Sequence, residues 1–223
     1  MVYVVTIFDS DKLFGWRRIM WINSVSDEPN TEKTNKNEEL DRSRFIDKEL
    51  LESRTIIISQ GIDSQLARSI YSRLILLEKD NAEKPITVII NSPGGSADSG
   101  FGIYDMLRFI KPQIVTLTAG LCASAAVIIL LAGEKEKRFT LPNGRFLIHQ
   151  PSTSAVGPAA DLEITAHEIL KMRDQFNKII SQETGQDLKK VTADTNRDFW
   201  LSADEAVKYG LVRKIVQSRD DIA

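Results

Sequence analysis

Residues 85–118 read PITVIINSPGGSADSGFGIYDMLRFIKPQIVTLT. Pro85–Asn91 is a β-branched run, the composition of a buried strand. From Ser96 to Ile110 the apolar residues shift to helical spacing, with Phe101, Ile103, Tyr104, Leu107 and Phe109 in the repeat. Gln113–Thr118 returns to strand character. The same alternation extends both ways. Upstream, Thr55–Ser59 (TIIIS) reads as a strand, and Ser64–Glu78 as a helix carrying Leu66, Ile70, Leu74 and Leu77. Downstream, Ala123–Ala132 reads as an apolar helix closed by Gly133. Arg138–Leu141 and Arg145–His149 read as short strands around the turn Pro142–Gly144. Strands alternating with helices define an α/β fold with a parallel sheet. Ala160–Gln182 then predicts a long helix with Leu162, Ala166, Ile169, Phe176 and Ile180 on one stripe, ended by Gly185. At 1.5 Å per residue it spans roughly 35 Å, more than one small domain needs, which points to contact with another subunit.

The chain has 223 residues and a formal net charge of −2, with 42% hydrophobic and 27% charged residues. That suits one sizeable globular domain and gives no basic excess for nucleic acid or an anionic membrane. One cysteine, Cys122, excludes an internal disulfide framework and fits a reducing, cytoplasmic setting. No apolar run reaches the length of a membrane span. Three regions are expected: an apolar N-terminal arm or leader over 1–26, a polar linker or loop over 27–49, and the main domain over 50–223. In the first, Arg17 and Arg18 follow the apolar run Val2–Phe8 rather than precede it, so no export signal is read. In the second, Asp27–Glu39 (DEPNTEKTNKNEE) lacks any large apolar residue.

Ser124 lies where a strand gives way to an apolar helix, in GLCASAAVIILLAG. Backbone N–H groups and the positive end of the dipole favour negative charge there, which suits a nucleophile whose reaction generates an oxyanion. An ordinary N-cap serine fits the same local context. Of the two histidines, His167 falls mid-helix beside Glu163 and Glu168 as a surface residue. His149 ends the strand RFLI just before Gln150–Pro151. A third group to orient the imidazole is open among Asp194, Asp198 and Asp204, with Phe199 and Trp200 placed to shelter Asp198. The loop Asn91–Ser96 (NSPGGS) offers backbone N–H groups to an oxyanion or a peptide carbonyl. It lacks the Gly-Lys-Ser/Thr of a phosphate loop, and a plain tight turn is its other reading.

Taken together, INSPGGS at Ile90–Ser96, GIYDMLRFIKP at Gly102–Pro112, CAS at Cys122–Ser124, KRFTLPNGRFLIHQP at Lys137–Pro151 and the stretch Thr184–Ile215 resemble the proteolytic subunits of Clp proteases, the ClpP family. The resemblance covers about Leu50 to Val216. It implies the ClpP/crotonase-like fold of repeated β-β-α units with a protruding handle helix, about 160–182. It implies a serine endopeptidase with Ser124 as nucleophile, His149 as general base and acid, and Asp198 as orienter. The backbone N–H groups of Gly95 and Ala125 would form the oxyanion hole. It further implies two stacked heptameric rings joined by the handle, with Arg197 in an inter-ring contact; the apolar stripe of that helix places Leu170 and Phe176 at the joint. The other partners are a hexameric Clp-type ATPase, which uses the ATP, and unfolded protein substrates. No cofactor or metal is implied for this subunit.

The chain departs from the family pattern at Ala125–Ala126, where Met-Gly is usual, at Thr87 and Ile89, where tyrosines line the ATPase-docking cleft, and at Asn196, where an acid pairs with the following arginine. Phe109 keeps one aromatic of that cleft. These departures imply weaker docking of the ATPase by this chain alone and a mixed assembly with a paralogue. Two alternatives follow: a catalytically weak structural subunit of such an assembly, and a CoA-binding crotonase-type enzyme.

Overall fold

The computed structural model describes Asp41 and residues 44–222, and residues 43–223 form one compact unit. The expected arm over 1–26 and most of the expected polar loop lie outside the described residues. Residues 44–52 form a helix, α1, which overlaps the end of the stretch read as a polar loop.

Seven strands build the sheet: β1 (Thr55–Ile58), β2 (Ile86–Ser92), β3 (Ile114–Ala123), β4 (Arg138–Thr140), β5 (Arg145–Ile148), β6 (Phe199–Ser202) and β7 (Lys214–Ile215). Their order is β1-β2-β3-β4-β7, all parallel, with β5 added to β3 in parallel and β6 added to β5 antiparallel. The helices are α2 (Ser64–Asp80), α3 (Ala97–Phe109), α4 (Ala125–Leu131), α5 (Ala159–Thr184), α6 (Leu188–Asp194) and α7 (Ala203–Tyr209). The apolar faces of α2 and α3 and every residue of α4 pack against the sheet in one core.

The strand β3 forks. It follows β2 along its length, while its other edge pairs first with β4 (Thr116–Thr118 on Arg138–Thr140) and then with β5 (Leu121–Ala123 on Arg145–Leu147). Gly120, with φ +111°, marks the change of neighbour, and a Cβ there would lie 2.7 Å from Asn91 Oδ1. The expected boundaries are corrected here. The strand does not stop at Thr118, and the helix begins at Ala125 rather than Ala123. Ala119-Gly120 resembles a strand end and alanine favours helix, but pairing with β5, a partner distant in sequence, keeps Leu121–Ala123 extended. Arg138–Leu141 and Arg145–His149 likewise do not pair with each other; both lie on β3.

Two buried arginines close helix C-termini. Arg54 donates to the carbonyls of Leu77 (3.0 Å) and Asn81 (2.7 Å) at the end of α2. Arg138 donates to Leu131 (2.9 Å) and Gly133 (2.8 Å) after α4 and to Glu183 O (3.0 Å) in α5, and pairs with the Glu183 carboxylate. Helix termini leave carbonyls without intrahelical partners, and a guanidinium with five donors serves several at once.

The stripe expected along α5 divides into two parts. Phe176 and Ile180 are buried in the core, and Ile169 is half-buried. Leu162 and Ala166 are exposed, with Ile164 (63%) and Leu170 (45%) beside them. Among the described residues, no helix is long and apolar enough to cross a membrane, and no group of three or more His, Cys, Asp or Glu residues is placed to hold a metal ion.

Candidate active site

The end of β3 delivers Ser124 in an unusual backbone conformation, φ +56° and ψ −125°. A non-glycine residue there carries strain of about 1–3 kcal/mol, tolerated only where the surroundings enforce it. They do so here. Ser124 N–H donates to Leu147 O (2.8 Å), its carbonyl accepts from Val127 N–H (2.9 Å), and the helix that follows is buried on every side. The Ser124 hydroxyl makes no capping bond to α4, which counts against the N-cap reading.

Sheet register brings the other two groups to the same place. Ala123 pairs with Leu147, so the chain leaving β5 runs beside Ser124 and carries His149. Ile148 pairs with Phe199 across the antiparallel ladder, so Asp198 stands opposite His149. His149 Nδ1 lies 3.0 Å from Asp198 Oδ1. A slip of one residue in either ladder would turn these side chains to the opposite face. Of the three aspartates left open by the sequence, Asp194 is held by Tyr209 Oη (2.8 Å) and Lys190 Nζ (2.7 Å), and Asp204 lies in the first turn of α7. The expected shelter for Asp198 is corrected. Its side chain is 64% exposed, because Trp200 packs its ring under the Arg145 guanidinium (4.7 Å) rather than over the carboxylate.

The loop 91–96 is pinned against the serine. Ser92 Oγ donates to Gln60 O (2.6 Å), Ile62 N–H to Gly94 O (2.9 Å) and Ser96 N–H to Ile62 O (2.8 Å). Gly94 has φ +87°, and a Cβ on it would come within 2.7 Å of Ser124 Cβ and 3.0 Å of Ala125 N. Only glycine allows so close an approach of the two backbones. Gly95 and Ala125 both line a cavity of about 380 Å³, together with Ser124 and His149. Phe101, Ile128, Ile169, Met172 and Phe176 supply its apolar wall, while Thr165 and Glu168 stand on the α5 side. That α5 walls the cavity was missed in the sequence. Ile169 and Phe176, two residues of the stripe taken above to point to another subunit, were the available signal, and Met172 between them completes the wall.

The remaining candidates fall elsewhere. His167 is exposed on α5, with Nδ1 3.0 Å from Glu163 O. Asn196 and Arg197 are exposed on the turn before Asp198. Thr87 and Ile89 are half-buried on β2, and Phe109 is 81% exposed at the end of α3. Cys122, two residues before Ser124, is buried in the core. Desolvation by burial pushes its thiol up to about 12, so it stays protonated and is no rival nucleophile.

A strained serine at a strand end, a histidine held by a carboxylate and an apolar cavity bounded by glycine backbone together form the arrangement of a serine hydrolase. Comparison with known proteins narrows this. The family model described as Clp protease matches residues 36–219. The ATP-dependent Clp protease proteolytic subunit 2 of Treponema denticola is 49% identical over 195 residues, covering 87% of this chain and 96% of that protein. The proteolytic subunit 3 of Rhizobium etli is 45% identical over 191 residues, covering 86% and 98%. A solved structure of a mutant ClpP1 from Listeria monocytogenes superposes with a TM-score of 0.74 at 42% identity, covering 80% of this chain and 99% of that one. The chain belongs to the Clp protease family and is a proteolytic subunit of the serine peptidase type.

Proposed function

We propose that this subunit cleaves unfolded proteins into short peptides with Ser124, His149 and Asp198 as its triad. The observation that carries the reading is the 3.0 Å contact between His149 Nδ1 and Asp198 Oδ1, at the rim of the cavity that Ser124 lines. With Nδ1–H donating to the carboxylate, Nε2 is left to take the Ser124 proton. Oγ then attacks the scissile carbonyl carbon, and the oxyanion forms toward the N–H groups of Gly95 and Ala125. Collapse expels the amine, which receives its proton from His149, and water repeats the sequence on the acyl-enzyme. The apolar wall of the cavity suits a large apolar side chain next to the scissile bond. No cofactor takes part. A serine-reactive fluorophosphonate is expected to modify Ser124 in the purified chain; an unmodified chain that binds acyl-CoA would instead support the crotonase-type alternative.

The assembly we propose is two stacked heptameric rings in the cytoplasm, serving a hexameric Clp-type ATPase. The exposed apolar residues in the N-terminal half of α5 support the stacking, and the ATP-dependent names of the relatives support the partner. The numbered names of those relatives, with Asn196, Thr87 and Ile89 in this chain, favour a mixed assembly with a paralogue and weaker docking by this chain alone. Arg197, exposed beside Asn196, is assigned to the contact between rings. Phe176 is unsuited to probing the joint, since it is buried in this subunit's own core. Ile164→Asp with Leu170→Asp is expected to convert the assembly to single rings or smaller species in sedimentation velocity, because charges replace apolar contacts at an interface core. An unchanged profile would remove α5 as the joint.

A further inference from the structure

We propose that Gln150, Thr195 and Asn177 are positioning residues that hold the His149–Asp198 pair through hydrogen bonds running from α5 to the rim of the sheet; this rests on the triad assignment above. The register of β5 and β6 ends at Ile148 and Phe199, so neither His149 nor Asp198 is held by the ladder. Their contact is made between side chains 30% and 64% exposed, and such a pair contributes little to its own geometry in water. Gln150 supplies the missing constraint. Its N–H donates to Thr195 O (2.7 Å), and its Nε2 donates to Asn196 O (2.9 Å). The residue next to the imidazole is therefore tied at two points to the turn that leads into Asp198.

That turn is anchored in the interior. Thr195 is buried, and its hydroxyl lies 2.9 Å from Asn177 Oδ1 and 2.9 Å from Val191 O. Asn177 is buried on α5 immediately after Phe176, which lines the cavity. A buried amide costs stability unless its polar atoms are satisfied; here Asn177 Oδ1 accepts from the Thr195 hydroxyl, and Nδ2 lies 3.5 Å from Thr192 Oγ1. A helix wall of the cavity and two members of the triad thus share one set of hydrogen bonds. Displacing a reacting group by about 1 Å can cost on the order of a hundredfold in rate, which is the effect these bonds prevent.

The test is the second-order rate constant for fluorophosphonate modification of Ser124 in the purified full-length chain. Gln150→Leu and Thr195→Val are expected to lower it by roughly tenfold or more. Thr195→Ser, which keeps the hydroxyl, is expected to retain the wild-type constant. With a short fluorogenic peptide, kcat is expected to fall in the first two variants at unchanged KM. A variant that is merely less stable modifies a smaller fraction of chains at an unchanged rate constant, and that outcome overturns the proposal. So does a wild-type constant in Gln150→Leu and Thr195→Val, and a Thr195→Ser as slow as Thr195→Val removes the link to Asn177. Failure of the wild-type chain to react at Ser124 overturns the triad assignment itself, an outcome distinct from the others.

Discussion

Ser124→Ala is expected to lower peptide hydrolysis by at least about a thousandfold while the fold and assembly stay intact. The hydroxyl is the only group removed, and it makes no capping bond to α4, so no helix cap is lost with it. The strained φ of +56° stays, because alanine meets the same steric limits there as serine. His149→Ala is expected to cost nearly as much, and the double variant little more than either single one, because triad members act as a unit. Initial rates on a fluorogenic peptide, beside circular dichroism and sedimentation of each variant, check this. Activity near the wild-type level in Ser124→Ala would overturn the assignment of the nucleophile.

The largest loss of stability is expected from Arg138→Met. The Arg138 side chain is 1% exposed, and burial pushes its pKa down while the Glu183 carboxylate works against that shift. Methionine replaces the aliphatic stem but leaves the carbonyls of Leu131, Gly133 and Glu183 without these donors and strips one cation from Glu183. Glu183 keeps Tyr104 Oη (3.1 Å) and Arg108 Nη1 (3.1 Å), so the network thins rather than disappears. Burial and the Glu183 charge already raise the Tyr104 phenol to about 12, which keeps it a donor at neutral pH. Removing one partner of a buried pair costs about 3–5 kcal/mol. For a chain of this size that corresponds to a Tm lower by roughly 6–20 °C. Calorimetry on preparations matched in oligomeric state is the measurement, since association raises the apparent Tm. A Tm within about 2 °C of wild type would mean that other donors replace Arg138 at both helix ends.

The strands over Thr55–Ile58 and Ile86–Ser92 and the helices α2 and α3 were legible because their signals are local. A β-branched run or a 3.6-residue apolar repeat declares itself within a dozen residues. Gly185 marked the end of α5 for the same reason. The fork of β3 was not legible, since Leu121–Ala123 are extended only because β5, more than twenty residues later, lies beside them. The choice of Asp198 among three aspartates had no local basis either. The proposal of Asp198 rests on the pairing of Ile148 with Phe199, and the neighbouring Trp200 stacks on Arg145 instead of sheltering the carboxylate. Likewise the stripe on α5 was visible, but not that the middle of the helix, from Thr165 to Phe176, walls the cavity. Gln150 offered no signal at all, because its partners are main-chain carbonyls and carbonyls have no sequence.

The position of β6 in the sheet has a consequence for how the chain is made. Ser124 emerges from the ribosome well before β6, which stations Asp198 opposite His149. At about 5–20 residues per second, several seconds of translation separate the two. Throughout that interval the nascent chain carries the proposed nucleophile without the proposed orienting carboxylate, in a sheet whose long-range parallel pairings close slowly. Under the proposed triad, a chain that stops before β6 carries Ser124 and His149 without the carboxylate that orients the imidazole, so full peptidase activity waits for β6 to pair with β5. A product that stops before β6 is then expected to hydrolyse peptide far more slowly than one that includes it.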